Sequence, residues 1–212
     1  MKGSARGVVT ASHCTNTQGG VESTIFYQPT KLSSNRIGVE TIDPAYWTGS
    51  PCPSGNRCRY SDSAFAALDG TVSYGRGYIA RTTGLGSVTI DANNPRFRIS
   101  ADLYWPNAGV TVEKMGKTTG WTRGTIDRTC ANIGSGGITF ICQYRATASV
   151  QGGDSGSPVF RITNSPSSGD VDLVGIAHSR DANGTAWFSV MGTMTYSNEL
   201  GSLTDCSPVF TC

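Results

Sequence analysis

Residues 152–158 read Gly152-Gly153-Asp154-Ser155-Gly156-Ser157-Pro158, and their types and order could do chemistry at a carbonyl carbon. Glycines on both sides of Ser155 permit a tight turn that turns its hydroxyl and the nearby backbone N–H groups toward a substrate. One loop would then hold a nucleophile and an oxyanion hole. A serine hydroxyl is a weak nucleophile by itself, so the pattern requires a base and a carboxylate that orients the base. The chain has two histidines, His13 and His178. His13 lies in Val9-Thr10-Ala11-Ser12-His13-Cys14, and five aspartates (Asp43, Asp62, Asp69, Asp91 and Asp102) follow it before residue 106.

Thr10-Ala11-Ser12-His13-Cys14 and Gly153-Asp154-Ser155-Gly156-Ser157-Pro158 resemble the two signature blocks of chymotrypsin-like serine proteases, most closely those of the secreted bacterial branch. The run Lys114-Met115-Gly116-Lys117-Thr118-Thr119-Gly120-Trp121-Thr122-Arg123-Gly124 resembles the segment that opens the second barrel in that branch, so the similarity spans nearly the whole chain. The resemblance implies an all-β, trypsin-like fold of two antiparallel six-stranded β-barrels. Residues 1–106 would form the first barrel, carrying the histidine and the acid. Residues 107–212 would form the second, carrying Ser155 and the specificity pocket.

Of the five aspartates, Asp62 is the acid the resemblance selects, because Arg59-Tyr60-Ser61-Asp62-Ser63-Ala64-Phe65-Ala66 resembles the segment in which the acid precedes an apolar strand. The other four read as turn residues capping their neighbours. The implied roles are nucleophile for Ser155, general base and acid for His13, and orienting carboxylate for Asp62. The N–H groups of Gly153 and Ser155 would receive the oxyanion. Asp154 would form a buried structural ion pair with Lys114, Arg123 being the next choice. The pocket floor falls at Ser149 and its opposite wall at His178, Ser179 and Arg180. A serine floor argues against selection of lysine or arginine, and leaves small, aromatic and acidic side chains open. His178 reads equally as a pocket residue and as a structural histidine.

Composition sets limits that do not depend on any family. The 212 residues suffice for one domain or two small ones. Charged residues make up 15% and there are 27 glycines, which suits short strands and tight turns. A net charge of +2 with no basic stripe gives no sign of nucleic acid as a partner. No apolar run approaches the ~20 residues of a membrane span. The resemblance, rather than composition, implies protein or peptide substrates and a monomer that needs no metal or cofactor.

The seven cysteines fall at 14, 52, 58, 130, 142, 206 and 212. Their spacing pairs Cys52 with Cys58, Cys130 with Cys142 and Cys206 with Cys212, each closing a short loop worth roughly 2–3 kcal/mol. This usage points to an extracellular protein, although Met1-Lys2-Gly3-Ser4 opens no signal peptide. In the resembled family the cysteine after the catalytic histidine bonds to one on an earlier strand, and two strands precede the histidine block. The partner of Cys14 and the first two strands of the first barrel are therefore expected upstream of Met1, in a fragment or a sequence with a misassigned start.

Strands are expected at Arg6 to Ala11, Val21 to Tyr27, Arg36 to Ile42, Val88 to Asp91, Arg96 to Ala101, Val110 to Lys114, Gly124 to Thr129, Gly137 to Arg145, Val159 to Thr163, Val171 to Ala177 and Ala186 to Val190. Turn clusters separate several of them, including Asn93-Asn94-Pro95, residues 105–109, residues 165–170 and Asp181-Ala182-Asn183-Gly184. A short helix is expected from Met191 to Leu200, ended by Gly201. Two function classes follow: an endopeptidase working through an acyl-enzyme, or a non-catalytic protein of protease fold, either a binding module or an inert fragment.

Overall fold

A computed structural model describes residues 1–163 and 169–205, so the expected Cys206–Cys212 bond and most of the 165–170 turn lie outside the described residues. Among the described residues thirteen strands run in chain order: β1 (Gly7–Thr10), β2 (Ile25–Tyr27), β3 (Arg36–Ile42), β4 (Arg57–Arg59), β5 (Ala64–Leu68), β6 (Tyr78–Ala80), β7 (Arg96–Asp102), β8 (Thr111–Gly116), β9 (Gly120–Ser135), β10 (Ile138–Ser149), β11 (Pro158–Ile162), β12 (Asp170–Arg180) and β13 (Thr185–Val190). No helix among the described residues is long and apolar enough to cross a membrane.

The first sheet has four antiparallel strands in the order β1-β5-β3-β2. In the second, β11, β8, β9, β10, β13 and β12 pair antiparallel in that order, and β12 returns to pair with β11. Six strands thus close into a barrel, and residues 170–173 of β12, beyond its pairing with β13, offer the edge to which β7 pairs. The barrel interior is filled by alternate residues of these strands, among them Val112, Ile126, Tyr144, Val174, Phe188 and Val190. Between β9 and β10 the chain reverses over Gly136 and Gly137, with φ of +60° and +78°. Positive φ at both central residues is what a two-residue hairpin of the favoured hand requires.

Three expectations are corrected. β6 and β7, expected in the first barrel, attach to the second sheet through the parallel pairing of β7 with β12, and β4 runs parallel to β10. Residues 88–91 form no strand and make one isolated bridge, Thr82 to Ile90. The helix is a single turn, α1 (Met191–Met194), without a side-chain N-cap. Thr193, Thr195, Ser197 and Asn198 favour side-chain to backbone bonds over helix continuation. The Thr193 and Thr195 hydroxyls donate to the carbonyls of Val190 and Met191.

Candidate active site

The loop between β10 and β11 carries Ser155, and two glycines set its path. Gly153 has φ of +94° and Gly156 of +80°, a region in which side chains other than glycine are strained. A Cβ on Gly156 would lie 2.5 Å from Thr10 Oγ1 and 3.0 Å from Ala11 N. Its absence lets the serine loop close on the end of β1, directly beside His13. The Gly156 N–H donates to Ala177 O, and Ala177 N–H donates to Ser157 O, which fastens the loop to β12.

Asp154 anchors the loop from within. Its Oδ1 accepts from the N–H groups of Thr118 (2.8 Å) and Thr119 (3.1 Å), and its Oδ2 from Gln151 N–H (3.0 Å) and the Thr119 hydroxyl (2.7 Å). Lys114 Nζ lies 3.2 Å from Oδ2, and both side chains are buried. Burial raises the Asp154 carboxyl, yet the Thr119 hydroxyl and the backbone donors outweigh it and hold the group below its ordinary range. Burial lowers the Lys114 ammonium, against the pull of Asp154. Arg123, the other base considered, pairs with Glu113 instead. Lys114→Ala leaves a carboxylate buried without its counter-charge, a change worth about 3–5 kcal/mol. The expected result is a fall in Tm on the order of 10 °C, with slower modification of Ser155; an unchanged melt and an unchanged rate would count against the pair as the loop's anchor.

His13 follows β1 and Asp62 precedes β5, so the antiparallel pairing of these strands brings them together across 49 residues. His13 Nδ1 lies 2.5 Å from Asp62 Oδ2, and His13 Nε2 lies 2.7 Å from Ser155 Oγ. Asp62 Oδ1 also accepts from His13 N–H (3.1 Å) and from the Gln18 amide (2.8 Å). Asp62 is 2% exposed, whereas the His13 side chain is 36% exposed: a buried acid supports a base that faces solvent. Burial raises the Asp62 carboxyl, but the hydrogen bonds from His13 and Gln18 and the neighbouring imidazoles carry it below the usual carboxylate value. The hydrogen bond to Asp62 raises the His13 imidazole above its ordinary 6.5, with the Cys14 thiol adding to the effect.

The seat of this couple is polar, and its groups are paired with one exception among the described residues, the buried Arg59 Nε. Beneath His13, the Ser12 hydroxyl and the Arg59 guanidinium both donate to Asp43, each at 2.8 Å, with Arg59 and Asp43 wholly buried. The Asp62 N–H donates to Ser189 Oγ (3.0 Å). On the flanking residues, the Ser61 hydroxyl and Tyr60 N–H donate to Glu199.

A cavity of about 270 Å³ opens beside Ser155, lined by Val150, Gln151 and Gly152 on one side and His178, Ser179 and Arg180 on the other. A second, of about 510 Å³, is bordered by His13, Gln18, Asp62, His178, Arg180 and Trp187 among others. Ser149 lines neither cavity. A register shift lies between Ala146 and Ser149, and the Ser149 carbonyl accepts from the Thr122 hydroxyl. The N–H groups of Gly153 and Ser155 have no acceptor among the described residues.

Sequence comparison finds no matching family model and no matching curated protein. Solved structures do match. The chain is similar to Nocardiopsis protease, with a TM-score of 0.59, 21% identity and coverage of 91% of this chain and 82% of that one. It is similar to Cellulomonas bogoriensis chymotrypsin, with a TM-score of 0.58 at 21% identity over 87% and 78% of the two chains. A third match is a glutamic-acid-specific serine protease that uses a histidine triad in substrate binding, with a TM-score of 0.57 and 23% identity over 90% and 82%. The chain has the chymotrypsin fold.

On this chymotrypsin fold, His178 takes a position that sequence reading left open between pocket and core. Its ring is buried, and Nε2 lies 3.0 Å from Gln143 Oε1. The Gln143 amide nitrogen donates to the carbonyls of Tyr60 and Ile141, so Oε1 faces His178 and the Ser189 hydroxyl, and both must donate to it. His178 therefore carries its proton on Nε2. Burial pushes it down to about 4, so it is neutral at physiological pH. It is thus a structural residue on one face and a cavity wall on the other.

Among the described residues, two disulfides join Cys52 to Cys58 and Cys130 to Cys142, and Cys14 is a free, exposed thiol. Sequence reading passed over Gln18, Gln143, Ser189 and the Asp43–Arg59 pair. Only Asp43 had drawn notice, as a turn residue; it is a buried ion-pair partner instead, Asp69 pairs with Arg36, and Asp102 lies at the end of β7. Asp91 does cap its turn, accepting from the N–H groups of Asn93 and Asn94.

Proposed function

We propose that the chain is a serine endopeptidase that cleaves protein or peptide substrates through an acyl-enzyme. The observation that carries the reading is the unbroken relay from Asp62 through His13 to Ser155, at 2.5 and 2.7 Å, at the mouth of a cavity. With Nδ1–H donated to Asp62, Nε2 of neutral His13 is free to accept the Ser155 hydroxyl proton as Oγ bonds to the scissile carbonyl carbon. The imidazolium then returns that proton to the departing amine. Water attacks the resulting ester by the same route in reverse roles, and regenerates Ser155.

The unpaired N–H groups of Gly153 and Ser155 are the donors for the oxyanion, each worth on the order of 3 kcal/mol at the transition state. The base and acid flank β1 and β5 of the first sheet and the nucleophile stands on the β10–β11 loop of the second, so elements of both sheets assemble the relay. The two disulfides support an extracellular site of action. Ser179 and Arg180 line the cavity beside Ser155, which supports the reading that they form the wall for the substrate's side chain.

A fluorophosphonate probe tests the reading. One adduct per chain is expected, mapped to Ser155 by peptide mass and absent in His13→Ala. Failure of the folded wild-type chain to label would favour a non-catalytic protein of this fold.

A further inference from the structure

We infer that Gln18 is a positioning residue for the acid of the relay: its amide fixes the rotation of the Asp62 carboxylate. The inference rests on the proposed peptidase reading for its kinetic consequences, but not for its geometry.

Each carboxylate oxygen of Asp62 has a defined duty. Oδ2 faces His13 Nδ1, and Oδ1 accepts from the His13 N–H and from Gln18 Nε2 at 2.8 Å. The other polar side chains around Asp62 are committed elsewhere. The Ser189 hydroxyl takes the Asp62 N–H and donates to Gln143, His178 Nε2 also donates to Gln143, and Ser61 donates to Glu199. Among the described residues, Gln18 is thus the one side chain besides His13 that donates to this carboxylate. It also borders the 510 Å³ cavity together with Asp62.

The backbone that presents Gln18 is pinned. The next residue, Gly19, has φ of +86°, and a Cβ there would lie 2.4 Å from the Tyr46 ring. Its N–H donates to Asp43 Oδ2 (3.3 Å), the acid of the buried Arg59 pair. Thr15, on the other side, donates its hydroxyl to Ser12 O (2.7 Å). The loop is therefore tied to the same polar seat that holds His13, and the amide approaches Asp62 from a fixed origin. Without that donor the carboxylate keeps only its two bonds to one residue, His13, and is less constrained against rotation off the imidazole axis.

The titratable and charged groups around the couple are the Cys14 thiol beside His13, neutral His178 on β12, the Arg59–Asp43 pair beneath Ser12, Glu199 behind Ser61, and Arg180 across the cavity. None of them changes in a Gln18 variant, so a shift in the couple reports on position 18. Removing the donor leaves the carboxylate charge less spread and raises the basicity of His13. Gln18→Glu adds a second negative charge beside Asp62 and raises it further.

The test compares wild type, Gln18→Ala and Gln18→Glu. A hydrogen bond to a charged group corresponds to about a 10- to 100-fold effect, so Gln18→Ala is expected to lower kcat on a casein-derived fluorogenic peptide by that factor with KM within about twofold. The His13 pKa, followed by NMR titration of the imidazole on the same proteins, is expected to rise in the order wild type, alanine, glutamate. The titration decides the matter even if wild type hydrolyses no peptide, which separates this inference from the peptidase reading. An imidazole pKa that stays the same in both folded variants would overturn it, as would a rise in KM at constant kcat, which would make Gln18 a substrate contact.

Discussion

Ser155→Ala is expected to lower the turnover of a denatured protein substrate by about 10⁶-fold, as the loss of a nucleophile in such a relay does. The substitution removes the atom 2.7 Å from His13 Nε2 and nothing else in the site. The His13–Asp62 bond, the Gly153 and Ser155 N–H groups and the Lys114–Asp154 anchor all stay in place. A residual rate of about 10³–10⁴ over uncatalysed hydrolysis should therefore survive, supplied by the oxyanion donors and by binding. Ser155 is only half-buried, so stability should stay within about 0.5 kcal/mol of wild type. The measurement is casein digestion by the two proteins at equal concentration, with matched melts. More than about a hundredth of wild-type activity in the variant would remove Ser155 from the role of nucleophile.

The parts of this site that could be read from sequence are those whose geometry is locally encoded. Gly153 and Gly156 announce positive φ by being glycine, and Ser155 between them announces what the turn is for. The alternating apolar residues of β3, β7 and β13 mark strands of nearly the expected length. Asp43 shows the opposite case. Its neighbourhood reads as a turn, but its partner Arg59 and the hydroxyl of Ser12 lie 16 and 31 residues away. A buried ion pair is a tertiary fact with no local period to betray it. Gln18 is silent for the same reason: an amide in a polar loop looks solvated until the fold places a carboxylate 2.8 Å away.

Register explains two further departures. The shift between Ala146 and Ser149 re-aims the residues that follow, and one residue of slip moves a side chain to the other face of a strand. A pocket floor counted back from the nucleophile cannot foresee that. The attachment of β7 to β12 is likewise a parallel pairing between segments about 72 residues apart, chosen by which sheet edge is open. Phe97 and Ile99 of β7 pack with Phe160 and Val171 of the second sheet, and this burial supplies the reason the strand sits there. Pattern identifies that β7 is a strand; only packing decides to which sheet it belongs.

Asp62→Asn separates the orienting role from the base itself. The wild-type acid holds the Nδ1 proton of His13 on its own side, and leaves Nε2 free for the Ser155 hydroxyl. An asparagine can turn its NH₂ toward Nδ1, which then becomes the acceptor and forces the proton onto Nε2. The base is present, half-exposed and correctly placed, yet protonated on the wrong atom. A loss of about 10⁴ in kcat is expected, with KM little changed. The pH profile carries the second half of the prediction. Asp62 raises His13 above 6.5, and the protonated imidazole cannot accept the serine proton. Wild-type kcat/KM should therefore fall as pH drops through a value above 6.5, giving an alkaline optimum. Without the negative charge the imidazolium loses its stabilisation, so in Asp62→Asn the acid limb should move down. Activity of the variant relative to wild type would then be least impaired at low pH. An acid limb at the same pH in both proteins would show that the rate is governed by a group other than His13.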